Sequence, residues 1–287
     1  MAYKPSPRPH FDEPTHISYR TVTRHLWGDA EAGEVADWIY VSSDKIHQIV
    51  FGMPLGGNFT HSNEFRTIFG ADEVLYVLSG LLILTNPQTG EVHRVPKGSA
   101  AFFRRDTWHH AYCHGDEELR VLEFFAPPPS QGTSGAYART KENLEQAKYT
   151  QDDLIGNWPM AREEQRVRNM IEVISDDDLI YRLEGDANLT LVGLYAATEH
   201  LTVGKVVLRP GQHTDPQVHG GQESLYVTSG PLHVLTTDGD DRRWFELEAK
   251  DGFFVPEGVT HQYYNMSAAP VEFLFAVAPN YLAEPKP

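Results

Sequence analysis

The chain has 287 residues, enough for two sizeable cores, and its 40% hydrophobic and 11% aromatic content is that of a globular protein. With 40 Asp+Glu against 24 Lys+Arg the formal charge is −16, which disfavours phosphate backbones and anionic membrane surfaces, so neither nucleic acid nor membrane is an expected partner. The single cysteine, Cys113, excludes an internal disulfide, and no stretch has the apolar length of a signal peptide or membrane span, which leads to the expectation of a soluble, cytoplasmic protein.

In chain order, residues 1–15 carry four prolines and read as a loosely held arm. From about Ile17 the text becomes short apolar runs separated by Gly, Pro, Asn and Asp: Trp38 to Val41, His47 to Phe51, Val74 to Leu84, Ala100 to Phe103 and Leu119 to Phe125. Strand-length runs rich in β-branched and aromatic residues, with frequent turn signals, predict an all-β barrel or sandwich. A first domain is expected over 16–135. The Glu, Lys, Gln and Ala content between Thr140 and Arg168 suggests a partly helical linker over 136–169, interrupted at Gly156 and Pro159, and a second domain is expected over 170–287.

The two domains repeat one another. Glu73-Val74-Leu75-Tyr76-Val77-Leu78-Ser79-Gly80 returns 150 residues later as Glu223-Ser224-Leu225-Tyr226-Val227-Thr228-Ser229-Gly230, and Phe102-Phe103 with Thr107-Trp108-His109 returns as Phe253-Phe254 with Val259-Thr260-His261. A period this long is the size of a domain rather than of a solenoid unit, so the chain reads as a duplicated module. The turns Asn86 to Gly90 and Thr237 to Asp240 sit at matching places and each closes the hairpin after the Glu strand.

The chemistry-bearing residues concentrate in the second copy. Gly211 leads by five residues to Gln217, followed by His219, Glu223 and Gly230, and later come Pro256, Gly258, His261 and Asn265. Gln217 and His219 are two apart, so on a strand they face one side with Val218 on the other. These spacings resemble the two motifs of the cupin superfamily, G-x5-H-x-H-x3,4-E-x6-G and G-x5-P-x-G-x2-H-x3-N, with Gln217 in place of the first histidine and Gly252 closer to Pro256 than the pattern asks. The resemblance implies a bicupin: two tandem antiparallel jelly-roll barrels, a divalent metal on histidines and a glutamate, and a homodimer.

The expected metal ligands are therefore His219, Glu223 and His261, with Gln217 as a weaker neutral candidate. Two histidines and a carboxylate suit non-haem Fe(II), although Mn, Ni, Co or Zn fit the same donors. In the first copy His61, Glu73 and His109 are the candidate ligands. Whether His61 or Asn63 takes the first-ligand position stays open, and the rival reading is a copy turned scaffold or dimerisation domain. His110 is expected on the outer face, since neighbouring strand residues alternate. Gln217 and Tyr263 are candidates for steering substrate or O2, His213 for the rim, Arg104 and Arg105 for holding a carboxylate.

Three functions follow. The first is a metal-dependent oxidoreductase, an Fe(II) dioxygenase acting with O2 on a small enol, phenol or keto acid. The second is a metal-dependent isomerase, decarboxylase or lyase acting on a small carboxylate or sugar acid. The third is a binding or storage protein without turnover.

Overall fold

The computed structural model describes residues 6–128, 137, 140–141 and 169–283. The expected helical linker lies outside these residues apart from Tyr137, Thr140, Lys141 and Asn169. Among the described residues no helix is long and apolar enough to cross a membrane, and regular structure is almost wholly strand.

The first copy comprises β2 (Thr23–Asp29), β3 (Gly33–Ser42), β4 (His47–Met53), β5 (Asn58–Phe59), β6 (Asp72–Ser79), β7 (Leu81–Asn86), β8 (Glu91–Pro96), β9 (Ala100–Phe103), β10 (His110–Cys113) and β11 (Leu119–Ala126). The second comprises β13 (Ile180–Glu184), β14 (Thr190–Ala197), β15 (Thr202–Leu208), β16 (Gln222–Ser229), β17 (Leu232–Asp238), β18 (Asp241–Leu247), β19 (Gly252–Val255), β20 (Thr260–Tyr264) and β21 (Val271–Ala278). In each, a seven-stranded sheet faces a smaller one, β5-β10-β7-β8 in the first and β18-β17-β20 in the second. Each pair of sheets encloses its own apolar core, one around Phe51, Leu75, Leu84 and Phe103, the other around Val206, Leu225, Val234 and Phe253.

Pairing register repeats as the sequence does. Glu73 lies between Phe103 and Phe125, and Glu223 between Val255 and Val277. The hairpins after the Glu strands turn at Gly90 and Gly239, whose φ of 78° and 57° fall in the left-handed region that glycine enters without a Cβ clash. Gly258 turns the chain ahead of β20 with φ 79°, and Asp106, at φ 66°, keeps that geometry in the first copy without a glycine. Asp is among the few residues that tolerate it.

The copies exchange edge strands. β1 (Thr15–Ile17) precedes the first barrel yet pairs with β19 of the second, and β12 (Ile171–Ile174) precedes the second yet pairs with β9 of the first. A boundary drawn at residue 16 therefore cuts through β1, and one at residue 170 groups β12 with the barrel it does not pair with. Both exchanges cover sheet edges that would otherwise present unpaired backbone groups.

The outer faces of the two large sheets meet in a shared core. Tyr40, Leu122 and Phe124 from the first pack with Tyr226, Phe254 and Leu274 from the second. Alternation along β11 thus sends Leu122 and Phe124 to the joint and Val121, Glu123 and Phe125 inward. Polar groups within the joint are satisfied across it: Tyr40 Oη donates to Lys250 O at 2.7 Å, and Gln48 Nε2 to Leu225 O at 3.2 Å. Because Phe124 is fully buried there, Phe124→Ala is expected to cost about 3–5 kcal/mol in urea unfolding. Amide exchange should accelerate in both barrels; acceleration confined to the first would refute the shared core.

Candidate metal centre

Gln217 and His261 form a two-way backbone bridge, Gln217 N to His261 O at 2.8 Å and His261 N to Gln217 O at 3.0 Å. This ties the segment before β16 to β20 of the smaller sheet. His219 then follows two residues along on the inward side while Val218 is 38% exposed, in accord with strand parity. Glu223, at the start of β16, and His261, on β20, approach from the two facing sheets. All three side chains are buried, and one ligand atom from each lies within 4.8 Å of the others.

The hydrogen bonds behind these side chains decide what they present. His219 Nδ1 lies 2.6 Å from Tyr281 O, and His261 Nδ1 lies 3.1 Å from Val259 O. A carbonyl only accepts, so both Nδ1 atoms carry the proton and both neutral rings turn an Nε2 lone pair inward. Those Nε2 atoms stand 3.3 Å and 2.9 Å from the same carboxylate oxygen, Glu223 Oε2. Despite the short distance, His261 Nε2 and Glu223 Oε2 lack hydrogen-bond alignment and have no hydrogen-bond partner among the described residues. Three buried acceptors aimed at one point are unfavourable unless a cation or extra protons sit among them. The donor set therefore fits a divalent ion.

Tyr263 Oη donates to Glu223 Oε1 at 2.8 Å, which leaves Oε2 for the imidazoles. Burial and the Glu223 charge push the Tyr263 phenol well above its ordinary value, so it remains a donor. Burial works against ionised Glu223, but the imidazoles of His261 and then His219 beside it hold its carboxyl well below the usual range. Burial likewise opposes protonation of His219, and Glu223 outweighs it to raise the imidazole. Gln217, Thr214 and Tyr281 join His219, Glu223 and Tyr263 around a space of ≈ 10 Å³.

Other predicted residues take structural places. Asn265 is fully buried and its amide donates to Leu208 O and Ala269 O at 2.9 and 2.7 Å, closing the loop after β20. His213 bridges to Tyr264 and stacks on its ring at 5.0 Å. Arg104 pairs with the fully buried Asp72 at 3.0 Å and with exposed Glu199 at 2.5 Å, and Arg105 with Asp106 at 3.8 Å, so both are engaged in ion pairs. Phe103, Phe253 and Phe254 are core residues, as is the free Cys113.

The first barrel does not bring His61, Glu73 and His109 together, since among the described residues the second barrel holds the one convergent group of ligand atoms. His109 N bonds Thr67 O at 3.1 Å, the counterpart of the Gln217–His261 bridge, so Thr67 occupies the place of Gln217 and Phe69 that of His219. Neither His61 nor Asn63 takes the first-ligand position. His61 Nδ1 instead lies 3.0 Å from His110 Nε2, with the rings stacked at 5.0 Å. The expectation that His110 faces outward is corrected: β10 begins at His110, so His109 precedes the strand, and His110 is 6% exposed and turned to His61. Glu73 pairs with Glu123, and burial followed by the charge of Glu123 raises it well above the usual range.

Sequence reading missed Tyr281, which lies beyond β21 and reaches His219 through its carbonyl. It also missed Asp37 and Glu123, although each is a charged residue inside an apolar strand, Val35-Ala36-Asp37-Trp38 and Val121-Leu122-Glu123-Phe124. That interruption was a legible sign.

The family model described as a cupin domain matches residues 70–125 and again 204–277. The chain is a two-domain cupin. Solved structures agree on the architecture. An oxalate decarboxylase variant from Bacillus subtilis superposes with TM-score 0.63 at 15% identity, covering 96% of this chain and 80% of that one. A formate complex of the Lactobacillus farciminis oxalate decarboxylase gives 0.62 at 14%, covering 93% and 86%. AerE from Microcystis aeruginosa gives 0.57 at 9%, covering 90% and 97%. At such identities the likeness establishes the bicupin fold. No curated protein sequence matches the chain.

Burial, and then the neighbouring charge of Glu123, raise Asp37 well above its ordinary value. A carboxyl raised in the folded state contributes stability in full below the unfolded value near pH 4, and that contribution is lost as pH rises through the folded value. In chelator-treated protein, Asp37→Asn and the parent should melt alike near pH 4, with the variant gaining on the order of 1 kcal/mol per pH unit above it. A stability difference independent of pH, measured by circular dichroism, would refute the assignment.

Proposed function

We propose that the second barrel of this bicupin is a metal-dependent enzyme acting on a small carboxylate, with decarboxylation or a related lyase or isomerase step as its reaction class. The observation that carries it is the convergence of His219 Nε2, His261 Nε2 and Glu223 Oε2 on one point, with both Nδ1 atoms committed to backbone carbonyls. A divalent ion held by these three residues supplies Lewis-acid polarisation of a carboxylate oxygen. Support for the reaction class comes from the bicupin neighbours, which include oxalate decarboxylases, one of them from Bacillus subtilis described with Mn(II) centres.

The chain's own residues have separable tasks in this reading. Tyr263 positions Glu223 by its hydrogen bond to Oε1. Gln217, at the cavity wall, presents an amide able to donate to or accept from a substrate oxygen. Val192, Val206, Phe273 and Phe275 exclude water from the reacting bond and raise the effect of every charge near it. Loss of CO2 leaves an electron pair on the substrate carbon, and a dry wall keeps its reprotonation under the control of the enclosed groups.

A second reading, an Fe(II) dioxygenase, is favoured by the donor set alone, since two imidazoles and one carboxylate are the facial set of non-haem iron oxygenases. Elemental analysis and gas exchange separate the two. The proposal expects about one Mn or similar divalent ion per chain, and CO2 release from short keto acids or dicarboxylates under anaerobic conditions. Oxygen uptake matched to turnover would overturn it in favour of the dioxygenase.

Glu223→Gln and His261→Ala should abolish stoichiometric metal. Tyr263→Phe should weaken metal affinity about 10–100-fold with the fold retained, as expected for a group that orients a ligand. Metal content unchanged in Glu223→Gln, read by mass spectrometry on protein reloaded with Mn(II), would remove the site itself.

A further inference from the structure

The interior of the first barrel has changed polarity at positions matched by strand register. Asp37 and Val121 flank Phe51, as Val192 and Phe273 flank Val206. Glu123 lies between Ile49 and Leu75, as Phe275 lies between Gly204 and Leu225. Asp37 thus stands where the second barrel has Val192, and Glu123 where it has Phe275. The same barrel has Phe69 in the place of His219. One ligand position has become apolar while two apolar positions have become carboxyls.

These carboxyls border a cavity of ≈ 90 Å³, several times the roughly 10–15 Å³ that admits one water. Its wall is aromatic, with Trp27, Phe51, Phe59, Phe69 and Phe125. Asp37 is 6% exposed and its Oδ1 has no hydrogen-bond partner among the described residues, while Glu123, 7% exposed, borders the same space and pairs with Glu73. The other titratable groups at the wall are His47 and His109, which burial holds at about 3 and about 4, so both are neutral acceptor-and-donor rings. Among the described residues no Lys or Arg lines the cavity. Arg8 acts on His47 from the N-terminal arm, but its guanidinium is engaged by Ser42 Oγ at 3.3 Å and Ser43 O at 2.9 Å.

A buried, unpartnered carboxyl in an apolar chamber costs stability unless something supplies the missing donor. An ammonium group offers three donors and a charge that favours the ionised form of both acids. Aromatic faces attract the same cation, and they also bury an apolar body at about 25 cal/mol per Å². We propose that the first barrel is a binding site for a small primary amine with an aromatic body, the ammonium held between Asp37 and Glu123 and the ring against the Phe51, Phe69 and Phe125 wall. The site is independent of the metal reading of the second barrel.

Isothermal titration of the full chain with 2-phenylethylamine, 2-phenylethanol and 3-phenylpropionate tests this, because the three share a ring and differ in charge. The amine should bind at least tenfold more tightly than either analogue, and Asp37→Asn should lose at least tenfold of amine affinity while its metal content and melting remain those of a folded chain. Equal or tighter binding of the propionate or the alcohol, unchanged amine affinity in Asp37→Asn, or no amine binding at millimolar concentration would each overturn the proposal. Should Asp37→Asn fail to fold, the ranking of the three probes on the unaltered chain decides the matter alone.

Discussion

Two backbone carbonyls govern the chemistry of the second barrel. By accepting from Nδ1, Tyr281 O and Val259 O fix the tautomer of His219 and His261 and turn both lone pairs toward Glu223 Oε2. A third restraint, the Tyr263 hydroxyl on Oε1, selects which carboxylate oxygen meets them. The result is a cluster of acceptors that carries its own electrostatic cost in the absence of a cation. Part of the binding energy of an ion at that point is relief of this cost, and the restraints come from strand ends that the barrel fold already holds in place.

The same frame serves two different interiors. Register, hairpin turns and the left-handed turn ahead of β20 persist in both copies, while inward positions have diverged: Thr67 for Gln217, Phe69 for His219, Glu123 for Phe275. Inward side chains can vary this freely because the backbone ladder and the outward packing of Tyr40, Phe124, Phe254 and Leu274 carry the architecture. Exchange of β1 and β12 between the barrels adds a second link, so each large sheet is completed by chain that precedes the other barrel. Functional divergence inside one barrel therefore need not loosen its partner.

How far the site was legible depended on whether its spacing was local. His219, Glu223 and the turn at Gly258 fall within short motifs whose strand parity fixes their direction, and the structure gathers His219 and Glu223 where that parity points. His61 and His109 carried the same residue types without the same spacing. Their fates differed because the longer segment between His61 and Glu73 puts Thr67 and Phe69 at the positions of Gln217 and His219, and because His109 lies just before a strand rather than on it, which breaks the parity argument for His110. The polar interior of the first barrel gave only the faint sign of single acids within apolar strands.

By itself the sequence determined the duplication, the all-β class and the donor set of the second barrel, because each is a matter of repeat, period or near-neighbour spacing. Only the tertiary structure decided which barrel gathers its ligands, that the edge strands cross between copies, and that Asp37 and Glu123 share an enclosed space. The physical reason is that inter-strand register and barrel closure bring together residues more than 80 positions apart, such as Asp37 and Glu123, and no local pattern of side chains encodes which of them will meet.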